Sequence, residues 1–216
     1  MKVLGCIHAH HSNIRYIEEA LSTIEVELQH FVDPGLITRI NHDSTFSIGD
    51  AKQKVMEQVQ WVENSGVDAI VLTCTNYIAL LEDDYQCTKP IIKLDEPFFR
   101  EICDLSQPLK IVFTNPATVD GTINRLNQFA IKLGKSLDVD IHIIEGAFNL
   151  VMEGRLEEHN RIVTSELERL VKGGTRIIAV AQLSMVGASK NVDGNILNPL
   201  HLLIPEITNV LELDIR

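Results

Sequence analysis

The apolar pattern of the first half of the chain returns in the second at a constant offset of 108 residues, and this repetition constrains the fold more than any other feature. Lys110 and Ile111 fall at Lys2 and Val3 plus 108, and both pairs open apolar runs that lead into polar turns, His8 to Asn13 and Asn115 to Gly121. Val163, Leu167 and Leu170 stand at the same offset from Val55, Val59 and Val62, which are spaced to line one face of a helix. Gly174 matches Gly66, and Ile177 to Val180 match Ala69 to Leu72. In a chain of 216 residues, the repeat implies two similar halves, each long enough to bury a core of its own.

Within the first half the pattern predicts a strand over 2–8, then a helix over 13–24 with Ser12 or Asn13 as its N-cap. A strand VELQHFV follows, then a Pro34-Gly35 turn and a polar stretch through Asn41-His42-Asp43. The helix bearing Val55, Val59 and Val62 ends at Gly66, a buried strand covers 67–72, and PIIKLD is a further short strand. Alternating strand and helix argues for right-handed βαβ units and mainly parallel sheets, with ligands bound beyond the carboxyl ends of the strands. The 45% of apolar residues and only 5% of aromatic ones suit such a sheet covered by helices. The expected fold is therefore α/β, with two pseudo-symmetric three-layer α/β/α halves facing each other across a ligand cleft. Residues 1–97 with a C-terminal segment from about 198 to 216 are expected in the first half, and 98–197 in the second.

A net charge of −11 argues against nucleic-acid or anionic-membrane partners, because phosphate binding needs clustered Lys and Arg. The opening MKVLGCIHAHH has too short an apolar run for a signal segment or a membrane span, so a cytoplasmic protein is expected. Cys6, Cys74, Cys87 and Cys103 lack any CxxC pair or metal-like spacing and read as free thiols.

Cys74 is the principal candidate for chemistry. It follows the run AIVLT and precedes Thr75 and Asn76, at a strand's carboxyl end beside the start of a helix, where unpaired N–H groups favour a thiolate. Cys6, Cys87 and Cys103 read as filler. Thr75 and Asn76 offer a hydroxyl, an amide and helix-start N–H groups suited to a substrate carboxylate, or else a cap. Thr114, Asn115, Ala117 and Thr118, around Pro116, open a helix in the second half in the same manner, again as ligand contacts or as a cap. His8, His10 and His11 crowd the turn that closes at Asn13; His8 is a candidate acid or base, and His10 and Asn13 are candidate substrate contacts. A metal site there is the sharper reading, but no carboxylate or cysteine supplies an obvious partner cluster, so no metal is expected. His30, His42, His142, His159 and His201 are scattered and read as surface or satisfied core residues. Asp95-Glu96-Pro97 reads as cleft-facing or as a helix start, and the acidic run Glu82-Asp83-Asp84 as a solvated face. By the repeat, Gln182 occupies the place of Cys74.

The turn Cys74-Thr75-Asn76, with HFVDPGLI, KLDEPF, TNPATV, GAFNLVMEGRLEEHN and AVAQLSM in this order, resembles the aspartate/glutamate/hydantoin racemase superfamily over nearly the whole chain. The resemblance implies two pseudo-symmetric α/β domains, a homodimer, and proton transfer without a cofactor at a carbon beside a carboxylate or carbonyl of a small amino acid or related acid. It implies two cysteines on opposite faces of that carbon. Cys74 is the first, and Gln182 stands where the second is expected; neither Gln182 nor the nearby Ser184 is an acid matching a thiol. It also implies carboxylate contacts from Thr75, Asn76, Ala117 and Thr118, and an acid/base or substrate role near His8. The expected function is a racemase- or isomerase-like enzyme with Cys74 as acid/base or nucleophile. The alternatives are a non-catalytic protein that binds small carboxylates and a single-cysteine decarboxylase or lyase.

Overall fold

The computed structural model describes residues 1–82 and 85–213, so Asp83, Asp84 and the last three residues of the C-terminal segment lie outside the described residues. The chain divides into two compact units, one of residues 1–94 and 203–216, the other of 95–202.

In the first unit, β1 (Lys2–His8), α1 (Ser12–Leu21), β2 (Val26–Val32), α2 (Gly35–His42), α3 (Ile48–Glu63), β3 (Ala69–Leu72), α4 (Thr75–Leu80) and β4 (Ile91–Lys93) follow in order. The strands form one parallel sheet in the order β2-β1-β3-β4, with Cys6 opposite His30 and Ile7 opposite Leu72. All of β3 is buried, as a central parallel strand covered on both faces must be. Helix α3 starts at a capping box, where Ser47 Oγ accepts from the Asp50 amide and Asp50 Oδ2 accepts from the Ser47 amide. It buries Ala51, Val55, Val59 and Val62 at helical spacing. Gly66, at φ +84°, makes the left-handed turn that returns the chain to the sheet.

The polar stretch expected after Pro34-Gly35 is instead the helix α2. Asp33 Oδ1 accepts from the Gly35 and Leu36 amides at 2.9 and 3.3 Å, and Leu36 is buried, so a side-chain cap and one apolar anchor outweigh a weak local pattern.

The second unit begins with α5 (Asp95–Cys103), so PIIKLD is strand only over Ile91–Lys93 and its Asp95 starts a helix. Then come β5 (Leu109–Phe113), a 3₁₀ turn (Pro116–Thr118), α6 (Val119–Lys132), β6 (Val139–Ile143), α7 (Ala147–Met152), α8 (Leu156–Gly173), β7 (Ile177–Val180), α9 (Leu183–Ser189) and β8 (Ile196–Leu197). Its parallel sheet has the order β6-β5-β7-β8, the equivalent of the first. The alternation of side chains along β5 produces three layers. Ile111 and Phe113 pack with Phe98, Phe99 and Ile102 of α5 and Leu126 of α6, whereas Val112 packs with Val163 and Leu167 of α8 and Met185 of α9. The expected α/β/α architecture is what these layers form.

Helices α5 and α10 (Leu203–Leu211) are themselves related by the offset of 108. Each follows the fourth strand of one sheet and belongs to the other unit. The glycine match is looser: Gly66 has a positive φ, but Gly174 is extended at φ −125° and caps α8 without a left-handed turn.

Candidate functional site

In the first unit the carboxyl ends of β1 and β3 bring His8, Asn13, Thr73 and Cys74 to neighbouring positions. His8 is the last residue of β1 and is wholly buried. Its Nδ1 lies 2.8 Å from Thr73 Oγ1, and Asn13 Nδ2 donates to the same hydroxyl at 3.4 Å. His8 Nε2 lies 2.9 Å from His30 Nδ1, with the two rings inclined by 29°. Burial, reinforced by His30, pulls the His8 pKa down to about 4, and burial lowers that of His30, so both imidazoles are neutral at pH 7. Cys6 projects from β1 two residues before His8, onto the same face. It is fully buried, and burial pushes its thiol up to about 12.

Cys74 is half-buried and caps α4 in extended conformation, its carbonyl accepting from the Ile78 amide at 3.0 Å. Thr75 and Asn76 follow it, also half-buried. Tyr77 is buried behind them and donates its hydroxyl to the Asp33 carbonyl at 2.9 Å. Burial, with Asp33 and the Cys74 sulfur nearby, raises the Tyr77 pKa, which keeps it a phenol. His10 is engaged by its own turn, with Nδ1 2.8 Å from Ser12 Oγ and its ring 4.2 Å from that of His11.

In the second unit Gln182 caps α9 as Cys74 caps α4. Its Oε1 receives the Thr114 amide at 2.6 Å, the Thr114 hydroxyl at 2.8 Å and the Asn115 amide at 3.0 Å. Its Nε2 donates to Thr118 Oγ1 at 3.2 Å. Asn115 Oδ1 accepts from the Ala117 amide at 3.1 Å, and the Thr118 hydroxyl donates to the Asn115 carbonyl at 2.9 Å. Donors that the sequence offers to a ligand at Thr114, Asn115 and Ala117 thus already have acceptors within the unit. Three of them converge on a single oxygen, the arrangement a carboxylate oxygen would also satisfy. Ser184 lies in the first turn of α9, half-buried.

Three residues of these strand ends escaped the sequence reading. Thr73 was part of an apolar run, Cys6 read as filler and His30 as a scattered histidine; the available signals were the Cys6-x-His8 spacing and the pairing of β2 with β1 that places His30 opposite Cys6. His159, read as surface or satisfied core, is wholly buried in α8, and its Nε2 has no hydrogen-bond partner among the described residues. Asp95 is bound by Arg125 within the second unit, at 2.7 and 3.0 Å.

No protein-family model and no curated protein matches the chain. Solved structures do. The aspartate racemase of Picrophilus torridus superposes with a TM-score of 0.70 at 12% identity, covering 100% of this chain and 96% of that one. The allantoin racemase of Klebsiella pneumoniae gives 0.68 at 16% identity, covering 100% and 91% of the two chains. The glutamate racemase of Francisella tularensis, in complex with D-glutamate, gives 0.68 at 15% identity, covering 98% and 81%. Among the described residues no helix is long and apolar enough to cross a membrane. The chain therefore carries the α/β fold of the aspartate, glutamate and allantoin racemases, in agreement with the resemblance of its motifs to that superfamily.

Proposed function

We propose that the protein is a cofactor-independent, isomerase-like enzyme that moves a proton at a carbon beside the carboxylate or carbonyl of a small amino acid or related acid, with Cys74 as the acid/base. The observation that carries this reading is the thiol of Cys74 itself: half-buried, at the carboxyl end of β3, at the start of α4. The racemase fold supports it, because the neighbours of that fold are named for aspartate, glutamate and allantoin.

The second unit has no thiol in the equivalent cap, so the chemistry is that of one sulfur. The Cys74 thiolate accepts the proton, and the electron pair of the broken C–H bond remains on the carbon and its adjacent carbonyl group. A proton returns to the carbon from the Cys74 thiol, directly or through a water that takes the thiol proton as it gives up its own, which regenerates the thiolate. Thr75 and Asn76 are the proposed carboxylate contacts of the first unit. His8, neutral and bonded to Thr73, fixes the turn that precedes Cys74. Gln182 holds the Thr114–Thr118 turn rather than moving protons, since a carboxamide is neither acid nor base in this range.

The hydrogen bonds that engage Gln182 also favour a second reading, a protein that binds a small carboxylate without turning it over; a single-cysteine decarboxylase or lyase is the remaining alternative. Incubation in D₂O with both enantiomers of aspartate, glutamate and allantoin, followed by proton NMR, tests the choice. The enzyme reading expects loss of the α-proton signal without added cofactor, abolished in Cys74→Ala with ligand-induced thermal stabilisation retained. Stabilisation by a ligand with no exchange in any substrate would leave the binding protein; exchange undiminished in Cys74→Ala would remove Cys74 from the mechanism.

A further inference from the structure

We propose that Cys6, His8 and His30 form a binding site for a borderline-soft transition-metal ion of the zinc class, buried beneath the turn that bears Cys74. This goes beyond the proton-transfer reading and is independent of it. One candidate ligand atom from each of the three residues lies within 4.8 Å of the other two. The arrangement follows from strand geometry: Cys6 and His8 are two apart on β1 and so share a face, and His30 is the register partner of Cys6 on β2. One sulfur and two imidazole nitrogens suit zinc and similar ions, whereas magnesium and calcium require oxygen.

Proton bookkeeping supports the assignment. Without a metal, one proton lies between His8 Nε2 and His30 Nδ1, 2.9 Å apart, and either order leaves a conflict. If His30 donates, its Nε2 presents a lone pair to the Glu18 carboxylate 3.8 Å away, and that buried nitrogen has no hydrogen-bond partner among the described residues. If His8 donates, its Nδ1 must accept, and the Thr73 hydroxyl has to leave the Ile7 carbonyl, to which it donates at 3.1 Å. A metal ion held by both facing nitrogens resolves the two conflicts together. His8 Nδ1–H then donates to Thr73 Oγ1, the Thr73 hydroxyl keeps Ile7, and His30 Nε2–H is directed at Glu18. These are the outer contacts that orient metal-bound histidines. The facing nitrogens have to part from 2.9 Å to about 3.3 Å, the separation set by two metal–nitrogen bonds of about 2.0–2.1 Å at a tetrahedral angle. The His30 proton moves from Nδ1 to Nε2, the Cys6 thiol releases one proton as its sulfur bonds to the metal, and nothing is oxidised or reduced. The thiol gives up a long contact to the Leu4 carbonyl, at 3.7 Å.

The test is cobalt(II) and zinc(II) binding by the full-length protein after treatment with chelator and reductant. The expected result is one equivalent of cobalt with a sulfur-to-cobalt charge-transfer absorption, displaced by zinc. Cys6→Ser should lose that absorption and at least about tenfold in affinity, and His30→Ala should lose affinity to a similar degree. Cys74→Ser should keep the absorption. Should Cys6→Ser fail to fold, the His30→Ala titration decides by itself, because His30 lies on the edge strand and tolerates truncation better. Absence of the charge-transfer band in the wild-type protein, its loss in Cys74→Ser, or unchanged affinity in His30→Ala would each overturn the proposal.

Discussion

Cys74 and Gln182 hold the same place in their two units: each caps the helix after the third strand, with φ and ψ of −124° and 120° for Cys74 and −127° and 143° for Gln182. The backbone is shared, but the side chains have different work. Gln182 spends its carboxamide on the turn beside it, in four hydrogen bonds among the described residues.

Gln182→Ala should therefore lower stability by about 1–3 kcal/mol, the cost of stripping the donors of buried Thr114 and half-buried Asn115 of their acceptor. The three freed donors at Thr114 and Asn115 also make a seat for a carboxylate. Added acetate should raise the melting temperature of Gln182→Ala and leave that of the wild type unchanged. Equal responses in the two proteins would show that these donors do not form an anion seat.

Gly5 is required by the approach of α3 to β1. A β-carbon there would stand 2.6 Å from Val62 Cγ1 and 3.1 Å from Val67 Cγ1, both on stiff β-branched side chains. Gly5→Ala should cost about 1–3 kcal/mol in urea unfolding, as overpacked cores do. Val62→Ala in the same chain should recover part of that loss; a strictly additive double variant would mean that the strain lies elsewhere.

The repeat made the architecture legible because helical spacing and buried strands are properties of short segments. Val55, Val59 and Val62 and their partners Val163, Leu167 and Leu170 declare two equivalent helices without any tertiary information, and VELQHFV is a strand from its first residue to its last. Helix α2 was hidden because its signals, the Asp33 cap and the burial of Leu36, act only once the strand before it is in place. The same limit applies to the site. The position of Cys74 at the end of β3 could be read from the apolar run before it, but the Cys6, His8, His30 group depends on which strand lies beside β1, and the Gln182 bonds on which lies beside β7. Such pairings between distant segments leave no local trace.

His159 should make the protein sensitive to mild acid. It is wholly buried in α8, its Nδ1 is 3.2 Å from Asn160 Oδ1, and burial lowers its pKa against the weaker opposing effect of that bond. The unfolded chain takes up a proton at this residue below about pH 6.5, whereas the folded chain resists until the pH falls further. The residue's contribution is thus intact above about pH 6.5 and is lost as the pH falls through the lowered folded value. His159→Leu, which cannot titrate, should gain stability relative to the wild type on going from pH 7.5 to 5. A melting-temperature difference that stays constant over this range would exclude His159 as the source.

Asp95 and Arg125 should be the ion pair on which the second unit most depends. The guanidinium meets the carboxylate through Nε at 2.7 Å and Nη2 at 3.0 Å, and the side chains are only 6% and 16% exposed. An exposed helical pair such as Arg15 and Glu19, 58% and 60% exposed, contributes roughly 0.3–0.5 kcal/mol, because water screens it and two mobile side chains are held in place. At Asp95 the balance differs. The carboxylate has already left water, and Arg125→Met would remove its guanidinium partner in the first turn of α5, at a cost of about 3–5 kcal/mol. Asp95→Asn should cost less, since the amide is neutral and still accepts one N–H. Combining the two changes should then cost less than their sum by more than about 1 kcal/mol, as expected for groups in direct contact. Urea unfolding of the four proteins measures this directly. Additive costs would mean that the pair adds no coupling energy of its own and that contacts such as the packing of Phe98, Phe99 and Ile102 hold α5 to the unit.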